Sequence, residues 1–346
     1  MKKTVCVMFG GRSSEYEVSL HSASSVLRNI NRDLFNVLTI GVTKDGQWYL
    51  YKGDVEDVEN GRWCRNSENI EKIFLNPSYH GSGFVTESGT PLKIDVVFPV
   101  MHGANCEDGT LQGLFDIAGI KYVGSGCTAS AVAMDKSITK AVLNNYGIRQ
   151  ARAVTVTQYE LTKDFDIIAG KVEKLNYPVF VKPASAGSSV GVCKVFGKDE
   201  LYDAIKNAVV YGGKALVEEY IKGREIEVAV IGNDNPRASC PGEIDPGAVF
   251  YDYDTKYNNN TAALYIPARL DEETAEKVKN LAVEIYRYVG CRGFSRVDFF
   301  VTKDNEICFN EINTIPGFTS ISMFPKLFMN SGMTYTEIIT ELINLA

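Results

Sequence analysis

The sequence predicts an α/β protein: a doubly wound N-terminal domain, then a compact α+β unit, then a longer α+β part that carries most of the useful carboxylates. Three observations predict it. Through residues 1–126, apolar runs of strand length alternate with helical stripes. Two of those runs end at Gly10-Gly11 and His102-Gly103, where a parallel sheet presents its ligand side. Beyond residue 127 the regular alternation stops, and a hairpin over 295–313 gathers charged groups on one face.

Residues 4–9 form a continuous apolar run, the pattern of a buried parallel strand, and the two glycines after it make a tight turn. Residues 17–29 place Val18, Leu20, Ala23, Val26 and Leu27 close to one helical stripe, and 37–42 is a second strand, which gives β-α-β order. The stretch 48–93, with Trp48, Trp63 and several Gly and Asn, reads as a meander or hairpin insertion without chemistry. A buried strand at 95–100 leads into His102-Gly103, and helical spacing follows over 110–118. Helices are expected at 134–146, 159–174 and 199–211, with strands at 179–182 and 215–219. The last part is expected to hold a strand at 225–231, a polar loop at 251–264, a helix at 271–288 and the hairpin. The division that follows is three domains, 1–126, 127–212 and 213–346.

At 346 residues the chain exceeds one ordinary core, and 45% hydrophobic with 23% charged residues is the balance of a globular enzyme. A formal charge of −7 lacks the basic excess that nucleic acid demands, so no nucleic-acid partner is expected. Met1-Lys2-Lys3 leads into an apolar stretch too short for a signal-peptide core or a bilayer span, so neither export nor a membrane is expected. The eight cysteines form no C-x-x-C pair, and they read as reduced thiols in a cytoplasmic protein.

Three constellations could carry chemistry. In the hairpin, period 2 puts Arg296 with Asp298, and Glu311 with Asn313, on common faces, and folding about 303–305 brings Asp298 roughly opposite Glu311. Two carboxylates beside an amide oxygen suit magnesium if phosphate fills the remaining positions; a surface salt bridge from Arg296 to a carboxylate is the plainer alternative. The second is Lys182 followed by PASAGSSVG, where small residues admit phosphate oxygens to backbone N–H groups and the lysine adds a point charge. It is not a Walker loop, and a flexible turn is its plainer reading. The third, GGRSSEYEVSL over 10–20, could be helix initiation alone.

Seven segments in order, FGGRSSEYEVSLHSA, MHGANCEDGTLQG, GSGCTASAVAMDK, VKPASAGSSVGV, FYDYDTKY, GFSRVDFF and NEINTIPGFTSISMFP, resemble the D-alanine:D-alanine ligases of the ATP-grasp superfamily and their vancomycin-resistance relatives. The N-terminal half is particularly similar to the D-alanine:D-serine branch. The resemblance implies a three-domain ATP-grasp fold, ATP and magnesium (with manganese as an alternative), a homodimer, and a D-Ala–D-Ala dipeptide made for peptidoglycan precursors through an acyl phosphate. It implies that Glu15 binds the ammonium of the first D-alanine and is linked through Ser188 to Tyr257 in a triad that closes the active-site loop. His102 is implied beside the first substrate, Lys136 and Lys182 on ATP phosphates, Lys256 at the γ-phosphate, and Glu218 and Glu225 at adenine and ribose. Asp298, Glu311 and Asn313 match the magnesium ligands, while Arg296 and the Gly317 N–H would hold the oxyanion.

Ser322 and Met323 align with the pair bordering the second-substrate pocket. Resistance-type D-lactate and D-serine ligases usually carry Arg after that serine, so Met323 favours the methyl of D-alanine, and Tyr257 in place of phenylalanine disfavours depsipeptide formation. Glu218-Glu219-Tyr220 departs from the commoner Glu-Lys-aromatic at the adenine hinge, which implies altered affinity and unchanged nucleotide identity. Two other readings remain: a D-alanine:D-serine ligase of the resistance type, and a nucleotide-binding protein without turnover.

Overall fold

The computed structural model describes residues 2–78, 83–187, 190–245, 247 and 263–346. In chain order the first part holds β1 (Lys3–Gly10), α1 (Tyr16–Asn29), β2 (Phe35–Val42), β3 (Trp48–Tyr51), α2 (Val55–Glu59), β4 (Ile70–Leu75), β5 (Phe84–Thr86), β6 (Val96–Pro99) and α3 (Thr110–Ala118). The sheet order is β5-β4-β3-β2-β1-β6. Strand β1 runs parallel to β2 and β6, and the expected insertion at 48–93 is an antiparallel meander that widens the sheet from β2 outward. Val5 to Phe9 are fully buried because both faces of β1 are covered. Val7 and Phe9 join α1 in one core, and Cys6 and Met8 join Leu111 and Phe115 of α3 in another.

Next come α4 (Cys127–Met134), α5 (Lys136–Asn144), β7 (Ala153–Thr157), α6 (Gln158–Lys163), α7 (Phe165–Glu173), β8 (Val179–Pro183), β9 (Cys193–Val195), α8 (Lys198–Val209) and β10 (Lys214–Glu219). The helix expected at 134–146 is present as α5, starting just after Asp135, and α4 is an additional helix ahead of it; the helix expected at 159–174 is cut at Asp164 into α6 and α7. Asp135 accepts the N–H groups of Ser137 and Ile138 at 3.0 and 3.2 Å, and Asp164 accepts that of Ile167 at 3.2 Å, so each starts a new helix. The second sheet has the order β7-β10-β8-β9. Since β10 stands between β7 and β8, a division at 212/213 cuts this sheet, whose last strand ends at Glu219.

The third part holds β11 (Gly223–Ile231), β12 (Arg237–Ala238), β13 (Gly242–Asp245), β14 (Ala263–Tyr265), α9 (Glu272–Val289), β15 (Phe294–Thr302), β16 (Ile307–Asn313), α10 (Met323–Asn330) and α11 (Tyr335–Leu345). Its sheet runs β14-β13-β11-β15-β16, with β12 on β11. Of the polar loop expected at 251–264, residues 251–262 lie outside the described residues and 263–264 already belong to β14. Val278, Ala282, Ile285 and Val289 of α9 cover one face of the sheet at Val228, Val297 and Phe299, and Ala129, Ala133 and Leu143 of α4 and α5 join them. The other face meets the N-terminal part: Phe98 lies 6.4 Å from Phe294 and 6.0 Å from Phe318 between ring centroids. That shared core brings the loops after β1, β6 and β16 to one place.

Candidate active site

The hairpin folds in the register that period 2 implies: Asp298 pairs with Glu311 and Arg296 with Asn313, while Glu227 of the neighbouring strand lies opposite Asp298. A β-bulge between Asp298 and Phe299 lets Phe309 and Ile312 both enter the α9 core, which leaves Asn310, Glu311 and Asn313 for the polar face. Arg296 grips Asp298 with Nε to Oδ1 at 2.8 Å and Nη2 to Oδ2 at 2.7 Å, and its Nε is 3.1 Å from Glu227. Burial alone would favour loss of the guanidinium proton, but Asp298 and Glu227 hold it firmly charged. The Asn313 amide donates to Asp298 at 3.0 Å. The plainer expectation, an ion pair from Arg296, is therefore present, though it is buried rather than on the surface.

Lysines approach this face from α5 and β8. Lys136 Nζ lies 3.4 Å from Glu311 and donates to the carbonyl of Ala186 at 2.9 Å, and its backbone N–H donates to Ala184 at 2.8 Å, so it is laced to the Gly/Ser segment after β8. Lys182 Nζ is 2.5 Å from Glu218 and 3.4 Å from Oδ1 of the Asn310 side chain. On the far side of Glu218 stands Lys140, 2.7 Å away. Burial would push Glu218 up, but the two ammonium groups overcome it and hold the carboxyl below the usual range.

Glu15 opens α1 at the end of the 10–14 turn, where Gly10 and Gly11 take φ of +88° and +107°. It is buried between two glycines: a Cβ on Gly103 would lie 2.8 Å from one of its carboxylate oxygens, and a Cβ on Gly187 3.4 Å from the other. Gly103 is in turn fixed by Glu107, which accepts its N–H at 2.8 Å and is driven well above the carboxylate range by burial and by the charge of Glu15. His102 is buried with both nitrogens engaged, Nδ1 on the Ile315 carbonyl and Nε2 on the Ser22 hydroxyl, each at 3.0 Å. Burial pulls it down to about 4, so the ring is neutral near pH 7. Ser22 also accepts the Phe318 N–H at 3.3 Å, and Tyr335 donates to the Phe318 carbonyl. The 315–318 segment that carries Gly317 is thus tied down from α1, from the loop after β6 and from α11.

Ser322 stands just before α10 without capping it through its side chain, which accepts the Thr319 N–H at 3.0 Å and lies near enough to Gly317 that a Cβ there would meet its hydroxyl. Met323 is buried in the core beside Gly242. Glu225 is half-buried on β11, two residues before Glu227 and on the same face. Ser188, Lys256 and Tyr257 lie outside the described residues. Sequence reasoning missed Lys140, Glu227, Glu107 and Ser22. Lys140 is four residues after Lys136 on one helix face, and Glu227 two after Glu225 on one strand face, spacings that could have found both.

Among the described residues no group of three or more His, Cys, Asp or Glu side chains gathers as metal ligands. The set at the hairpin is instead two carboxylates and an amide, which fits a hard cation that takes its other oxygens from phosphate or water. Any such cation must share Asp298 with Arg296. No helix among the described residues is long and apolar enough to cross a membrane.

Two family models match, described as D-ala D-ala ligase N-terminus over residues 4–125 and D-ala D-ala ligase C-terminus over residues 142–344. The chain is 49% identical to a D-alanine–D-alanine ligase of Acetivibrio thermocellus, over all of this chain and 96% of that one. It is 46% identical to D-alanine–D-alanine ligase B of Clostridium tetani, over all of this chain and 94% of that one. Among solved structures it is similar to the VanG D-Ala:D-Ser ligase of Enterococcus faecalis, with TM-score 0.91, 41% identity and coverage of 100% and 99%. The D-alanine-D-alanine ligase of Coxiella burnetii follows with TM-score 0.89, 32% identity and coverage of 99% and 93%.

Proposed function

We propose, from the premise that the chain belongs to the D-Ala–D-Ala ligase family of ATP-dependent ligases, that it joins two molecules of D-alanine for peptidoglycan precursors. In this reading Glu15 binds the ammonium of the first D-alanine, and ATP phosphorylates its carboxylate to give an acyl phosphate and ADP. The amine of the second D-alanine attacks the acyl carbon, the bond to phosphate oxygen breaks, and phosphate leaves. Arg296 and the Gly317 N–H stabilise the oxyanion between those events, and the hydrogen bonds from His102, Ser22 and Tyr335 hold the Gly317 segment in place beforehand. Lys136 and Lys182 hold ATP phosphates, and Glu218 and Glu225 face adenine and ribose. When bound by Asp298, Glu311 and Asn313, magnesium, or manganese as an alternative, neutralises charge on the phosphates.

The observation that carries the reading is the one polar face on which Asp298, Glu311, Asn313 and Arg296 meet, with Lys136 reaching Glu311 from α5. Ser188, Tyr257 and Lys256 complete the site as the loop triad and the γ-phosphate lysine. The domains assigned to these roles are an N-terminal one through about 126, a central one and a C-terminal one, in a cytoplasmic homodimer. All eight cysteines are free, which suits a reducing compartment.

Likeness to a D-Ala:D-Ser ligase favours a second reading, in which D-serine is the second substrate. The buried, apolar Met323 argues for D-alanine. Product analysis with ATP and D-alanine, alone and against equal D-serine and D-lactate, separates them. D-Ala-D-Ala as the main product is expected; D-Ala-D-Ser in excess would replace the first reading with the second, and no ATP-dependent product would remove both.

A further inference from the structure

We infer that Lys140 is a positioning residue for the nucleotide: it keeps Glu218 ionised while Lys182 moves from Glu218 to the phosphates of ATP. The inference rests on the ligase reading above and adds a residue that reading does not use. Lys140, Glu218 and Lys182 form a buried ion triad, their side chains 10%, 8% and 10% exposed. A single carboxylate here faces two ammonium groups, more cation than its own neutralisation requires. The two lysines differ in what else holds them. Lys140, in the middle of α5, donates to the Ala151 carbonyl at 3.0 Å as well as meeting Glu218 Oε1 at 2.7 Å. Lys182 stands at the end of β8, where the Gly/Ser segment begins, and its second partner is the neutral Asn310 amide at 3.4 Å. Lys140 is anchored and Lys182 is placed to leave.

Removing one cation from a buried carboxylate leaves an uncompensated charge, unless a second cation is already there. With Lys140 present, Lys182 can turn to an anionic ligand and Glu218 stays a paired carboxylate. Without it, either Lys182 remains on Glu218 and the phosphates lose a contact, or Glu218 takes up a proton when nucleotide binds. The neighbouring titratable groups do not offer another acceptor. Burial lifts Cys308 to about 11, so it stays a thiol, and Glu219 is paired with Arg152 at 2.6 Å.

The experiment uses the whole chain as wild type, Lys140→Met, Lys140→Gln and Lys140→Arg. It measures KM for ATP and for D-alanine, kcat, and the calorimetric binding of ADP in two buffers of different ionisation enthalpy. Lys140→Met and Lys140→Gln are expected to raise KM for ATP about tenfold or more, with kcat and KM for D-alanine within about threefold. Both are expected to take up more protons on binding ADP than the wild type does, and Lys140→Arg to restore wild-type values. Lys140→Gln keeps a polar group against Ala151, so it carries the test where Lys140→Met fails to fold. Unchanged KM for ATP and unchanged proton uptake, with only a lower melting temperature, would make Lys140 a structural ion-pair partner and overturn the inference. A wild type that binds ATP and forms dipeptide alongside such variants leaves the ligase reading standing; a wild type that binds no nucleotide removes both.

Discussion

Arg296 bears most of the proposed chemistry, and it faces Asp298 and Glu227 at once. A guanidinium already fixed and charged needs little reorganisation to meet a developing oxyanion, and that is what makes it effective. Arg296→Ala is expected to lower kcat by about two to three orders of magnitude; a thermal melt run in parallel separates this from unfolding, and near-normal turnover would remove the assignment. His102 bears on stability rather than proton transfer. Its folded-state value of about 4 lies below the ordinary 6.5, so the unfolded chain binds the proton more readily and stability falls as pH drops from about 6.5 towards 4. A His102→Asn chain should lose less stability across that window in denaturant titrations, and an equal loss would place the acid sensitivity elsewhere. At this scale the motif letters made Glu15, Asp298 and Glu311 legible. Lys140 was legible only as the residue one turn after Lys136, and Glu107 not at all, because a buried partner has no composition signal of its own until the carboxylate or glycine it faces is placed.

Elements set these residues by simple spacing with two interruptions. Alternation in β15 and β16 made the pairing of Asp298 with Glu311 readable from the sequence, and the bulge, which alternation cannot foresee, settles which neighbours turn inward. Helix α4 has no counterpart in the sequence expectations, because its residues, CTASAVAM, are mostly small and make no apolar stripe, and the side chain of Asp135 caps the start of α5 just after it. That aspartate also pairs with Lys214 at the start of β10, so it fixes α5, and with it Lys136 and Lys140, against the second sheet. Asp135→Ala should cost about 1 kcal/mol from the lost cap and raise KM for ATP, and Asp135→Asn should keep the cap while losing the ion pair. Equal ATP affinity in all three chains would detach this junction from nucleotide binding.

Across the whole molecule, the order of parts was legible and their assembly was not. Strand and helix patterns announced a wide α/β sheet followed by α+β units, but apolar residues do not declare their partners. Phe98 in one sheet and Phe294 in another meet in one cluster, a pairing that no local pattern around either residue encodes. In the same way β10 reads as the start of the last part and in fact completes the second sheet. The result is a site whose groups come from every part of the chain: Glu15 and His102 from the first, Lys182 and Glu218 from the second, and the hairpin from the third. The most direct test of that convergence is anomalous scattering from crystals grown with manganese and a non-hydrolysable ATP analogue. A manganese peak is expected about 2.0–2.6 Å from oxygens of Asp298, Glu311 and Asn313, with the analogue's phosphates on its other side. Manganese and phosphates bound away from those three side chains, with Arg296 still closed on both oxygens of Asp298, would contradict it.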